Sequence, residues 1–308
     1  MNKYTRSMRS KQRKKLRPQT KDEEKLLRSI LSIYNKQVKA SNRKKKIDTY
    51  EDLANVLDKI DSKKIQAPVQ RYLNTLLKRN RNGFLNIMSS MISTTQNTKE
   101  KQKLEEAFSK ALPSLIQEKK IYKPYMEKFL HNMGLIKNLP KSVEQDLKKA
   151  YEKGEGLRGT EIEKLLEEKL GRRARLIIRT ESSKINSALT ETRAKSFGIK
   201  AYIWSTSGDV RVRPSHKMMD NVLVFWDDPP TLDKMTGHAG EVPNCRCIGL
   251  PLFDIDDITF PVKIANNLEI ESKYMEGAGG KYKANIVKGS IKSYTKEQFT
   301  KTFVKELQ

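Results

Sequence analysis

Between residues 22 and 153 the apolar positions recur at helical spacing, broken at intervals by Pro, Gly or basic clusters. Leu26, Leu27, Ile30, Leu31, Ile33 and Tyr34 predict a helix from Asp22 to about Ala40, which the basic run Asn42 to Lys46 interrupts. Thr49 precedes Leu53, Val56, Leu57 and Ile60, a second short helix, and Pro68 marks the next boundary. Val69, Tyr72, Leu73, Leu76 and Leu77 predict another helix, which Asn80-Arg81-Asn82-Gly83 ends as a turn. The Met-rich run Phe84 to Ile92, then Leu104, Phe108 and Leu112 up to Pro113, Ile121 to Leu135, and Ser142 to Tyr151 after Pro140 complete an array of helices. Nothing repeats at a fixed period, so a solenoid is not supported. Met88 and Met91, with Phe84 and Ile87, read as core in preference to a docking surface. His131, after Phe129 and Leu130, reads as an ordinary packed or surface side chain.

The period changes in the second half. Glu152-Lys153-Gly154-Glu155-Gly156 is a connector, and Thr160 with Glu163 is a capping box opening a helix from Glu161 to Leu170. Leu176, Ile177, Ile185, Ala188 and Leu189 predict a helix from Gly171 to Phe197 that Gly198 terminates. Arg172, Arg173 and Arg175 would crowd its first turn against the helix dipole. Ala201 to Trp204 reads as a strand, Ser205 to Asp209 as a turn, and the alternation Val210-Arg211-Val212-Arg213 as a returning strand of a hairpin. Val222 to Trp226 is a stronger strand before Pro229-Pro230. Beyond Pro251 come an acidic stretch at 254–257, a strand over Val262 to Ile270, and the flexible break Glu276 to Gly280. A last helix follows, with Thr295 as cap and Phe299, Phe303, Val304 and Leu307 on one face, to dock on a partner or on its own chain. The fold class is α+β, with a basic flexible arm (1–21), a helical domain (22–153), a compact α+β module (154–253) and a C-terminal extension (254–308).

Composition alters this picture in charge more than in fold. The chain has 308 residues, 36% of them hydrophobic, which suffices for a core. A formal charge of +25 predicts attraction to polyanions such as nucleic acid or to acidic protein surfaces. Residues 1–21 hold Lys3, Arg6, Arg9, Lys11, Arg13, Lys14, Lys15, Arg17 and Lys21 with no acidic residue, so they predict an extended arm able to bind DNA by counterion release. No apolar run approaches the ~20 residues of a membrane span, and no signal-peptide core opens the chain. The two cysteines are one residue apart, a spacing ill suited to a structural disulfide and consistent with a reducing compartment such as a cytoplasm.

Ordered polar chemistry concentrates in residues 179–251, which contain both cysteines and two of the three histidines. Cys245 and Cys247 with His216 and His238 are four ligands of a kind zinc accepts. The competing reading has the cysteines flanking a buried strand while Arg246 pairs with Glu181 or Asp209. A hydrolytic arrangement would take His216 as base, Asp209 to orient it and Glu181 to bind a divalent ion, yet the chain has no dense carboxylate cluster, Walker A loop or HExxH. A third reading uses Arg179, Arg193, Arg211, Arg213 and Arg246 as donors to carboxylates or phosphates, with Tyr202, Trp204 and Trp226 as aromatic surface.

The order of motifs adds a further expectation. A helix carrying Arg179-Thr180-Glu181, then Gly198, a strand Trp204, Asp209-x-x-x-Arg213-x-x-His216 and a closing Asn244-Cys245-Arg246-Cys247 resembles the Mu F-like phage head morphogenesis, or minor head protein, family. The resemblance covers about residues 154–252. It departs after His216, where the family has a Gly turn and this chain reads Met219-Asp220-Asn221; Asn tolerates the left-handed conformation that Gly would supply. The resemblance implies a virion protein with no enzymatic activity, incorporated in few copies during procapsid assembly. Its implied partners are the portal protein, scaffold or major capsid protein, with a role in packaging or delivering the genome. The implied location is the phage head interior, after assembly in the host cytoplasm without a membrane, and the basic arm would meet packaged DNA. The rival expectation is a cytoplasmic nucleic-acid-binding protein or nuclease with a Cys/His metal site.

Overall fold

The computed structural model describes residues 11–44, 47, 49–94, 98–134, 145, 159–253, 255, 258–274 and 282–307. The expected helix over Ser142 to Tyr151, the connector around Gly154 and the break at Glu276 to Gly280 lie almost wholly outside these residues. The helices are α1 (Thr20–Lys44), α2 (Tyr50–Asp58), α3 (Ser62–Thr94), α4 (Thr98–Ala111), α5 (Leu115–Gly134), α6 (Gly159–Ser196), α7 (Pro214–Met218) and α8 (Lys296–Leu307). The strands are β1 (Ala201–Ser205), β2 (Val222–Phe225), β3 (Thr231–Leu232), β4 (Met235–Thr236), β5 (Ile248–Pro251), β6 (Val262–Tyr274) and β7 (Tyr282–Tyr294). The expected α+β class is what the structure has. Two compact units divide the chain, one from the described parts of 1–17, 77–122 and 183–308, the other from 18–76 and 123–182.

The second of these units is helical. Leu26, Leu27, Ile30, Tyr34 and Val38 form the buried stripe of α1, and Leu53, Leu57, Val69, Leu73, Phe129, Met133, Leu170 and Ile178 are buried with them. Thr49 caps α2 as its sequence requires, its hydroxyl accepting from the Asp52 amide at 3.1 Å. Pro68 lies inside α3 where a boundary was expected. The two helices expected to meet at Gly171 are one, α6, so Arg172, Arg173 and Arg175 sit in mid-helix and meet no dipole penalty. Arg172 pairs with Glu168 one turn earlier and Arg175 with Glu24. His131 is exposed.

The first unit is a mixed sheet covered on both faces. β1 alternates: Tyr202 and Trp204 enter one core with Val222, Val224, Trp226, Ala265, Leu268, Ile270, Cys245 and Cys247. Ala201 and Ile203 enter the other with Leu223, Ile248, Leu250, Val262 and Ile264. This second face is covered by Leu16, by Phe84 and Ile87 of α3, and by Phe299 of α8. Residues 11–16 are thus helical and Leu16 is buried, where the charge pattern predicts an extended arm. The terminal helix packs on its own chain through Phe299, with Thr295 and Gln298 capping each other.

β6 organises the sheet. β7 runs antiparallel along one side of it, while β2 and β3 pair parallel to successive parts of the other. β1 pairs antiparallel with β2 and with β5. The expected strand at Val210 to Arg213 does not form: these residues are a turn and bend between β1 and α7, and Val210 is fully exposed. β1 instead returns through a longer connection to β2.

Asn80 to Gly83, expected as a turn, continue α3. Asn80 is buried and donates to Asn186 Oδ1 at 2.7 Å and Thr190 Oγ1 at 3.0 Å. A Cβ at Gly83 would lie 2.4 Å from the Lys15 carbonyl oxygen, so the glycine admits the backbone of the 11–16 helix. Turn-forming residue types are used here for a buried polar bond and a close approach. Beside them Glu118 accepts from Arg193 Nε at 2.7 Å and Arg81 Nη1 at 2.8 Å, and Arg193 also donates to Asn80.

Candidate metal centre

The site is built on the connection from β1 to β2 and on the segment that precedes β5. Gly198 closes α6 with a left-handed φ of 72°, and the Ile199 amide bonds back to the Ala194 carbonyl at 2.9 Å, as its sequence predicts. That places β1 and Trp204. The chain then turns at Asp209, whose carboxylate accepts from the Arg211 amide at 3.0 Å. Pro214 supplies the fixed φ of a first helical residue, and α7 carries Ser215 and His216 inward, both buried. Ser215 Oγ donates to Asp233 Oδ2 at 2.6 Å, and Asp233 also accepts from the Ser272 amide, so α7 is tied to β6. After α7, Asn221 takes φ 61°, the left-handed value expected where a glycine would otherwise stand. Asp220 accepts from the Thr206 amide and hydroxyl at 2.8 Å each and closes the loop.

The partner segment turns at Asn244, whose φ of 57° accounts for an Asn at that position. Contacts of Asp209, Arg213 and His216 then join the two stretches. Asp209 receives both Nη groups of Arg246. Arg213 donates to the Pro243 carbonyl at 2.9 Å. His216 Nδ1 lies 3.4 Å from Cys247 Sγ and 3.5 Å from Cys245 Sγ. The Asp-x-x-x-Arg-x-x-His and Pro-Asn-Cys-Arg-Cys motifs are therefore two halves of one clasp.

His216, Cys245 and Cys247 are 3%, 4% and 6% exposed, and their ligand atoms all lie within 4.8 Å of one another. The His216 ring stands edge-on to Trp204 at 5.7 Å, and its Nε2 is buried with no hydrogen-bond partner among the described residues. The Cys247 amide donates to Cys245 Sγ at 3.4 Å. A hydrogen bond from Cys247, against burial, and the nearby His216 hold the Cys245 thiol well below its ordinary pKa. The thiol–thiol bond with Cys245, with burial, pushes Cys247 up. A cavity of about 60 Å³ opens beside the three, lined also by Arg211, Arg213, Asn244 and Arg246.

Other residues expected at the site lie elsewhere. His238 does not join the cluster: its Nδ1 is 3.2 Å from the Tyr202 hydroxyl, and its ring packs edge-on against Tyr202 and Trp226. Asp209 does not orient His216, because Arg246 occupies both its oxygens; of the two carboxylates weighed for Arg246, Asp209 is the partner. Thr180 and Glu181 are buried in the helical unit, where Glu181 accepts from Asn132 at 2.9 Å, and Arg179 beside them is half-buried. Arg193 is fully buried on Glu118, and Tyr202, Trp204 and Trp226 are core residues that offer no aromatic surface. One participant was not foreseen. Arg13 reaches from the basic N-terminal stretch to donate to Ser205 Oγ and the Arg246 carbonyl, both at 3.0 Å. The apolar Leu16 within that basic run, buried in the structure, is a signal in the sequence that this stretch folds back.

Comparison with known proteins bears out the expected resemblance. Residues 141–249 match the family described as Phage Mu protein F like protein, a stretch that contains all the motif residues from Arg179 to Cys247. An uncharacterized protein of Haemophilus influenzae is 45% identical over 83 residues, which is 27% of this chain and 18% of that relative. The chain thus spans under a fifth of the relative it matches. No solved structure matches.

Proposed function

We propose that this chain is a bacteriophage head protein, a minor component built into the procapsid in few copies and bound to the portal protein with scaffold or major capsid protein. The observation that carries the reading is the match of residues 141–249 to the Mu F-like family, coincident with the clasp between Asp209, Arg213, His216 and the Asn-Cys-Arg-Cys segment. The charged residues of that stretch are held in pairs: Asp209 holds Arg246 within it, and Glu118 holds its Arg193 from outside. Such pairing suits a rigid docking module, and supports a structural role in place of catalysis. The charge of +25 favours a place beside packaged DNA and a part in genome packaging or delivery. Assembly takes place in the host cytoplasm, and no helix among the described residues is long and apolar enough to cross a membrane.

Quantitative peptide mass spectrometry across a sucrose gradient of lysate tests this. Low-copy sedimentation with procapsids, filled heads and portal is the expected result. Recovery only in the soluble fractions would overturn it, and a salt-dependent DNA shift of that soluble protein would support the cytoplasmic nucleic-acid-binding reading.

A further inference from the structure

We propose that His216, Cys245 and Cys247 bind one zinc ion, the histidine through Nδ1, with the fourth coordination position open to the arginine-lined cavity and filled by a small oxygen ligand. The inference is independent of any role in a phage head.

The geometry argues first. With zinc–sulfur and zinc–nitrogen bonds of ~2.3 and ~2.05 Å, a tetrahedral site separates nitrogen from sulfur by about 3.6 Å. The observed separations are 3.4 and 3.5 Å. Both sulfurs converge on Nδ1, which in either tautomer makes one hydrogen bond and not two. A cation at the centre of the three satisfies every ligand at once. The Cys247 amide already donates to Cys245 Sγ, a bond that strengthens when that sulfur is a metal-bound thiolate.

Chemistry then selects the ion. Two thiolates and one imidazole are soft and borderline ligands, which zinc accepts at neutral pH and magnesium or calcium does not. His238, the fourth ligand expected from composition, is held by Tyr202. The fourth position therefore falls to something from solution. The adjoining cavity of about 60 Å³ accommodates a water, whose share of liquid volume is ~30 Å³, or one small oxyanion. Zinc with two thiolates is neutral, so Arg211, Arg213 and Arg246 around the cavity favour an anionic oxygen there.

The consequence for the fold is a covalent-strength link across the clasp. The ion would join α7 to the segment before β5 and replace the weak His216–cysteine contacts there, beside the Asp209–Arg246 pair and the bond from Arg213. Local stability of the 206–221 connection would then depend on metal.

The test uses the full chain, purified under reducing conditions with zinc present. Elemental analysis is expected to find one zinc per chain, and the cobalt-substituted protein to show thiolate-to-cobalt charge transfer with the visible bands of tetrahedral cobalt. Titrating inorganic phosphate into the cobalt form is expected to shift those visible bands. Cys245→Ser, Cys247→Ser and His216→Gln should each weaken zinc binding by more than the ~10–100-fold typical of outer-shell changes. His238→Gln should leave it unchanged. A wild-type protein that takes up cobalt without charge transfer, or that carries a Cys245–Cys247 disulfide and no metal, overturns the site without recourse to any variant. Loss of zinc in His238→Gln with its circular dichroism unchanged overturns the ligand set, and visible bands insensitive to phosphate overturn the open position.

Discussion

Glu118 and Asp209 each hold arginine, and burial makes the two pairs energetically different. Glu118 and Arg193 are both fully buried, and Arg81 shares the same carboxylate oxygen. Removing the anion leaves a desolvated guanidinium unpaired, which costs about 3–5 kcal/mol. Glu118→Gln is therefore expected to lower the urea midpoint by that much stability, and a shift under ~1 kcal/mol would show that the network is not holding the helices. Asp209 is partly exposed, and its worth shows in pH dependence. The Arg246 guanidinium holds its carboxyl well below the usual carboxylate range. A lowered folded-state pKa contributes stability that is present above the ordinary value of ~3.9 and is lost as pH falls below it. Thermal melts of the wild type between about pH 5 and pH 3 should fall more steeply than those of Asp209→Asn. Parallel curves would mean that the clasp is held by His216 and Arg213 alone. At this scale the sequence was most informative: Gly198 and Asn221 act locally and each was readable, while for Arg246 the sequence required a carboxylate and left Glu181 and Asp209 as alternatives. The separation of His238 from the cysteines was not readable, because nothing in its spacing distinguishes a ligand from a histidine packed on Tyr202 and Trp226.

Elements were legible where periodicity faced no competitor and illegible where residue type pointed elsewhere. Val210 to Arg213 alternates as a strand does, yet Asp209 turns the chain onto Arg211, and Pro214 starts α7. Asn80 to Gly83 has the composition of a turn, yet tertiary contacts with Asn186, Thr190 and Lys15 explain each of the unusual residues inside a helix. Such contacts lie more than 65 positions away and leave no local trace. The long β6–β7 pair shows the same dependence. Its register shifts between Asn266 and Glu269, and Gly289 faces that irregularity with φ 74°. A Cβ there would lie 2.1 Å from the Asn267 carbonyl oxygen. Gly289→Ala adds left-handed strain of ~1–2 kcal/mol to that clash. The expected outcome is a melting temperature several degrees lower, with early amide exchange confined to β6 and β7; an unchanged melt would mean that the pair slips its register at no cost.

For the whole molecule, the order of residues along the chain is a poor guide to what folds together. The sheet-bearing unit is assembled from three separate stretches and the helical unit from two. The motif-rich stretch ends near Phe253, where a boundary was drawn from composition, and the family match ends at residue 249. The sheet does not end there. β6 supplies the pairing partner of β2 and β3, and Ile258, Val262, Ile264, Leu268, Ile270 and Phe299 are all buried beyond the boundary. At ~1.5 kcal/mol or more for each apolar side chain buried, these contribute at least about 9 kcal/mol. A whole domain is stable by only ~5–15 kcal/mol. A chain ending at Phe253 would also expose the backbone edges of β2 and β3, which invites pairing between copies. It is therefore expected to be insoluble or to bind a hydrophobic dye without a cooperative melt, while the full chain melts cooperatively. If the 1–253 protein instead melts cooperatively near the full-length temperature, then β6, β7 and α8 are an accessory layer, and the clasp and its cysteines are stable without the strand that lies at the centre of the sheet.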